Sequence, residues 1–165
     1  MHTLVIANEF EYRNIVERIV SETSNNYQKS CYISIKEPYQ IIIRMLSGID
    51  KVDLNKFIVV DASKDAEKIQ KIDERTFIIN VPTLFNVYLF LRNLIQKENV
   101  NAILLDSVSA LILKHPKLPL KDMLTNLLLE VGTFKCDSVI FANKEHSEHE
   151  VVKHLEPFIA KTHVF

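Results

Sequence analysis

Short apolar runs alternate along this chain with longer stretches in which apolar positions recur every three or four residues. Thr3 to Ala7 is one such run; Ile15, Val16, Ile19 and Val20 follow at helical spacing, with Asn8 placed to cap the segment. Ser30 to Ile35 is β-rich, Pro38 suits a helix start, and Ile41, Ile42, Met45 and Leu46 give that helix an apolar face ending at Gly48. Phe57 to Val60 and Phe77 to Ile79 read as two buried strands, separated by the polar stretch Ser63 to Arg75, expected as a solvated helix or loop. The spacing Leu84, Val87, Tyr88, Leu91, Leu94, Ile95 predicts a helix, followed by a strand over Ala102 to Leu105 that ends at Asp106. Pro116 and Pro119 punctuate a connection before a helix through Leu120, Met123, Leu124, Leu127, Leu128 and Val131, with Gly132 as its stop. A strand over Ser138 to Ala142, a helix at Val151, Val152 and Leu155 cut short by Pro157, and a strand over Thr162 to Phe165 complete the chain. Strands alternating with helices predict an α/β fold: a mostly parallel sheet with helices on both faces, three layers in all.

Composition narrows this picture. At 165 residues, 47% apolar and 25% charged, the chain matches one domain, residues 1–165, with material for a single core. Its longest apolar runs fall far short of the roughly 20 residues that span a bilayer, and Met1-His2-Thr3 leads straight into a strand without a basic leader. A cytoplasmic location and no membrane association are therefore expected. Cys31 and Cys136 sit in apolar segments where buried thiols are the common case. A net charge of −1 supplies no overall attraction for nucleic acid. Glycine is the outlier: Gly48 and Gly132 are the only two, where average usage gives about a dozen.

In open parallel sheets the ligand site lies at the carboxyl ends of the strands. Three acidic residues leave strands there: Glu37, Asp61 and Asp106. They can be read as a carboxylate cluster able to hold Mg²⁺ or take a proton, or as caps of the turn or helix that follows each strand.

Two stretches carry a family resemblance. Ala102-Ile-Leu-Leu-Asp-Ser-Val-Ser-Ala-Leu111 resembles the Walker B strand of the KaiC-like branch of the RecA superfamily, and Cys31-Tyr-Ile-Ser-Ile-Lys-Glu-Pro-Tyr39 resembles its second strand and helix entry. The resemblance covers nearly the whole chain. It implies a RecA-like (P-loop NTPase type) fold and a metal-directing role for Asp106. It also puts Glu37 near the branch's catalytic glutamate pair, with Lys36 in the other place.

The Walker A motif, G-x-x-x-x-G-K-[ST], should lie between the first strand and helix; its amides cradle phosphates and its lysine binds them. In gap-free alignment Ala7 and Tyr12 take the places of the glycines, Arg13 that of the lysine and Asn14 that of the Ser/Thr. Side chains at glycine positions that need positive φ cost about 1–2 kcal/mol each, so another loop path is expected. Glu9 and Glu11 would each repel a close phosphate by about 4 kcal/mol at an effective dielectric near 20.

Other constellations are weaker. His146, His149 and Glu150 are compatible with metal ligation on a helix, but a solvated acidic helix start favoured by the helix dipole explains the same residues and is the expected reading. Ser107 and Ser109 lack a G-x-S-x-G elbow and read as caps. Lys114, His115, Lys117 and Lys121 form a basic stretch without interleaved aromatics.

The expectation is a non-catalytic RecA/KaiC-like module, a pseudo-ATPase that binds no cofactor and acts as a regulatory or assembly subunit. It would do so as a homo-oligomer or together with a related protein. One alternative is a divergent Mg²⁺-nucleotide sensor or ATPase that holds ATP and the metal with a vestigial site of Arg13, Asn14, Glu37 and Asp106. Another is a DNA-repair accessory resembling a recombinase paralogue, which the neutral charge disfavours.

Overall fold

Period-two alternation along each strand sends successive side chains to opposite faces of a single sheet, and helices cover both faces. The computed structural model describes residues 1–85 and 90–165. In chain order the elements are β1 (His2–Ala7), α1 (Tyr12–Asn26), β2 (Ser30–Ser34), α2 (Tyr39–Gly48), β3 (Phe57–Asp61), β4 (Gln70–Asp73) and β5 (Thr76–Ile78). Then come α3 (Val81–Phe85), α4 (Phe90–Lys97), β6 (Ala102–Asp106), α5 (Val108–Lys114), α6 (Leu120–Thr133), β7 (Asp137–Asn143), α7 (Glu150–Leu155) and β8 (Lys161–Val164). The strand order is β4-β5-β3-β2-β6-β7-β1-β8, and every neighbouring pair is parallel except β4 with β5.

Two apolar cores follow from the alternation. Leu4, Ile6, Ile33, Val60, Leu105 and Ile140 pack on one face beneath α3 to α7. Val5, Ala7, Tyr32, Val59, Leu104 and Phe141 pack on the other beneath α1 and α2. Strands buried on both sides are near-continuous apolar runs, which is why β2, β3 and β6 are legible as strands without a polar face. Asp106 shares parity with Leu104, so it belongs to the face covered by α1 and α2.

The architecture agrees with the fold expected from the sequence, and details differ. The polar stretch Ser63–Arg75 contains β4, an exposed edge strand that pairs with β5 as an antiparallel hairpin. Its polarity reflects the edge, where neither face is covered. Val87 and Tyr88 lie outside the described residues; the apolar spacing on either side forms α3 and α4. Gly132 does not end α6 through a left-handed conformation, because Lys135 takes the positive φ of 54°. A Cβ on Gly132 would lie 3.3 Å from His2 Nε2, so close packing against β1 accounts for that glycine. Asn8 caps the turn before α1, accepting from the Glu11 N–H at 3.0 Å, and is not the helix's own cap residue.

Candidate functional site

The chain runs from β2 to β3 on one side and from β6 to β7 on the other, so β2 and β6 flank a topological switch point. Crevices at such points, at the carboxyl ends of the strands, are where open α/β sheets bind ligands. Ser34 and Asp106 are register partners there. A cleft of about 550 Å³ opens above them, between α1, α2 and α5.

Asp106 forms its floor. Tyr12, the first residue of α1, donates its hydroxyl to Asp106 Oδ1 at 2.5 Å, and Tyr32 donates to Oδ2. Tyr12 is positioned by an edge-on contact with Phe141, ring centroids 6.3 Å apart. Tyr32 is fully buried in β2. Burial pushes the Asp106 carboxyl above its ordinary range; the two phenols oppose that shift, the nearby Glu37 charge adds to it, and Lys36 counters it. Burial also pushes both phenols well above their usual values, with the charge of Asp106 as the next cause, so both remain proton donors at neutral pH. The peptide bond from Asp106 to Ser107 is cis.

The other predicted site residues are placed differently. Arg13 and Asn14 are exposed on the first turn of α1, and Arg13 Nε is paired with Glu17 Oε1 at 2.8 Å. Glu37 and Lys36 both line the cleft beside Asp106, and the Glu37 backbone is held by Ser34, whose hydroxyl accepts from its N–H at 3.1 Å. Asp61 does not join them. It is fully buried and accepts from the Tyr39 N–H at 2.9 Å and from the Ser63 N–H and hydroxyl at 2.9 and 2.6 Å. The capping reading thus holds for Asp61, which caps the turn at Ser63 after β3 and also receives the first N–H of α2, and fails for Asp106. Among the described residues no three His, Cys, Asp or Glu side chains gather as a metal site requires.

The weaker constellations resolve into local structure. Ser107 caps α5 by accepting from the Ala110 N–H, and Ser109 Oγ accepts from the Asn143 N–H at 2.8 Å. His149 caps α7 through Nδ1, and Glu150 is paired with Lys121 at 2.7 Å. Lys114 reaches back to the carbonyls of Ile35 and Lys36 at 3.2 and 3.4 Å, tying α5 to the end of β2. The basic stretch therefore has two of its lysines engaged.

Sequence reasoning missed both tyrosines. Tyr12 was visible only as a bulky residue at a glycine position, and Tyr32 as one apolar residue of a strand; its period-two match to Asp106 across the sheet was the signal available.

No family model matches the chain, and no curated protein matches it in sequence. Solved structures do match in fold. One is a KaiC-like protein from the hyperthermophilic archaeon Pyrococcus horikoshii, with a TM-score of 0.68 over 99% of this chain and 69% of that one, at 11% identity. The chain shares its fold with that KaiC-like protein. The likeness in fold thus extends beyond the β6 and β2 stretches to 99% of this chain. No helix among the described residues is long and apolar enough to cross a membrane.

Proposed function

We propose that this KaiC-like domain does not turn over nucleotide and acts as a regulatory or assembly subunit, joining copies of itself or a related protein. The observation that carries the reading is the pair of phenols on Asp106. A carboxylate that directs Mg²⁺ needs lone pairs facing the metal, and here each oxygen already accepts from a tyrosine hydroxyl. Displacing a buried hydroxyl from its partner without replacing the bond costs about 1–3 kcal/mol. The rest of the donor set is a poor fit to a triphosphate. Arg13 is turned to Glu17, Glu9 and Glu37 line the cleft, and the Asn8–Glu11 turn is closed by side-chain bonds between its ends.

The test is a thermal-shift titration with ATP, ADP and GTP plus Mg²⁺, beside a phosphate-release assay. Ligand at 100 times its Kd stabilises a fold by about 2.7 kcal/mol, which moves Tm by roughly 5–10 °C in a domain of this size. The expected result is no shift at millimolar nucleotide and no phosphate release. A shift abolished by Asp106→Ala would overturn the non-catalytic reading. A strict monomer in sedimentation at high concentration that also binds no related protein would overturn the assembly role.

A further inference from the structure

The cleft over Asp106 has two unlike walls. One is apolar, built from Val16 of α1, Ile42 and Met45 of α2, and Ala110 of α5. The ionisable side chains lining it are Glu9, Glu37 and Asp106 against Arg13 and Lys36, and Arg13 is paired with Glu17, which lies outside the cleft. The lining is therefore acidic on balance, the reverse of what a phosphate needs.

The rim is apolar and exposed. Ile41 and Leu113, at 37% and 65% exposure, line the cleft, and Phe10, next to the lining residue Glu9, is 95% exposed. Two of the eight large apolar side chains exposed among the described residues, Ile41 and Leu113, thus line one opening. Single exposed apolar residues are ordinary, but their concentration at a concave site marks a contact surface. About 550 Å³ falls within the range of pockets that enclose a small ligand, and leaves room for a basic side chain together with an apolar neighbour.

We propose that this cleft receives a basic–apolar segment of a partner protein: an arginine or lysine inserted toward Glu37 and Glu9, flanked by a leucine-sized residue seated on Leu113 and Ile41. Long basic side chains lay their methylene stems on apolar surface while the charged head reaches a polar group, which matches an apolar wall leading to carboxylates. Charge complementarity selects this occupant over an acidic segment, because a carboxylate there would face Glu9 and Glu37. The inference deepens the assembly reading by naming what the partner presents, and it rests on that reading.

The experiment titrates the full chain, labelled with ¹⁵N, with the blocked peptide acetyl-Ala-Leu-Arg-Leu-Ala-amide and with the same peptide carrying Glu in place of Arg. The expected result is that the Arg peptide at millimolar concentration shifts the amides of Glu9, Glu37, Ile41 and Leu113, and that added salt weakens it. The Glu peptide leaves them unmoved. Glu37→Gln raises the Kd by about fivefold, the effect of one partly exposed charge pair. Leu113→Ser, a surface change that leaves the fold intact, weakens binding without altering the salt dependence. Equal binding of both peptides, no shift at these amides, or an unchanged Kd in Glu37→Gln would each overturn the proposal. If the chain still assembles but the peptide does not bind, only this inference falls; if the chain is also a strict monomer that binds no related protein, the assembly reading falls with it.

Discussion

Asp61 and Asp106 end the two strands that flank β2, and they are held in opposite ways. Asp61 accepts backbone and hydroxyl donors from the turn that follows it and from the first turn of α2, so its carboxylate is part of the fold's own hydrogen-bond closure. Among the described residues no backbone N–H reaches the Asp106 carboxylate; its partners are two phenols, and it faces a cleft. A carboxylate bonded to neighbouring amides cannot be released without unmaking a helix end. One bonded to aromatic hydroxyls takes no part in a helix end, and its two oxygens are occupied at the floor of the cleft.

The largest expected effect breaks the Asp61 end. Asp61→Ala leaves the part-buried Tyr39 and Ser63 donors without their acceptor and should lower stability by about 2 kcal/mol in chemical denaturation, with the cleft's peptide response otherwise retained. A loss near zero would mean that Asp61 does not hold the turn at Ser63 and the start of α2. At the Asp106 end, Tyr32→Phe removes one buried donor and should cost about 1–2 kcal/mol while pushing the Asp106 carboxyl further up. An NMR carboxyl titration that left Asp106 unmoved would contradict the clamp.

The smallest effect is in pH dependence. The folded Asp106 carboxyl lies above its unfolded value, so between the two the native state holds a proton that the unfolded chain has released. Stability from this group therefore falls as pH rises through that window. Asp106→Asn removes that dependence. The difference in unfolding free energy should move in favour of Asp106→Asn as pH rises above about 4, the unperturbed Asp value. A difference that is flat with pH, or that moves the other way, would place the folded carboxyl at or below its ordinary range.

Much of the fold was legible. The runs at Ala102–Leu105 and Ser30–Ile35 were strands because both of their faces are buried, and the helices at Leu120 and Ile41 were set by their three-to-four spacing. The edge strand β4 was not, since an uncovered edge carries no alternation to read. At the site, Asp106, Glu37 and Lys36 were found as residues leaving strands. Their arrangement was not, and Asp61 looked like Asp106 because position at a strand end says nothing of the donors that will reach it.

Local periodicity along the chain determined the elements, their order and which residues face a core, because burial on a helix or strand repeats over a few residues. Only the tertiary structure decided that β6 lies between β2 and β7, which sets Asp106 in register with Ser34. That pairing brings together Tyr32 and Tyr12, 74 and 94 residues from Asp106 in the chain, at its two oxygens. Such contacts depend on strand order and on the volume a side chain finds across the sheet, and neither is a property of any local stretch of sequence.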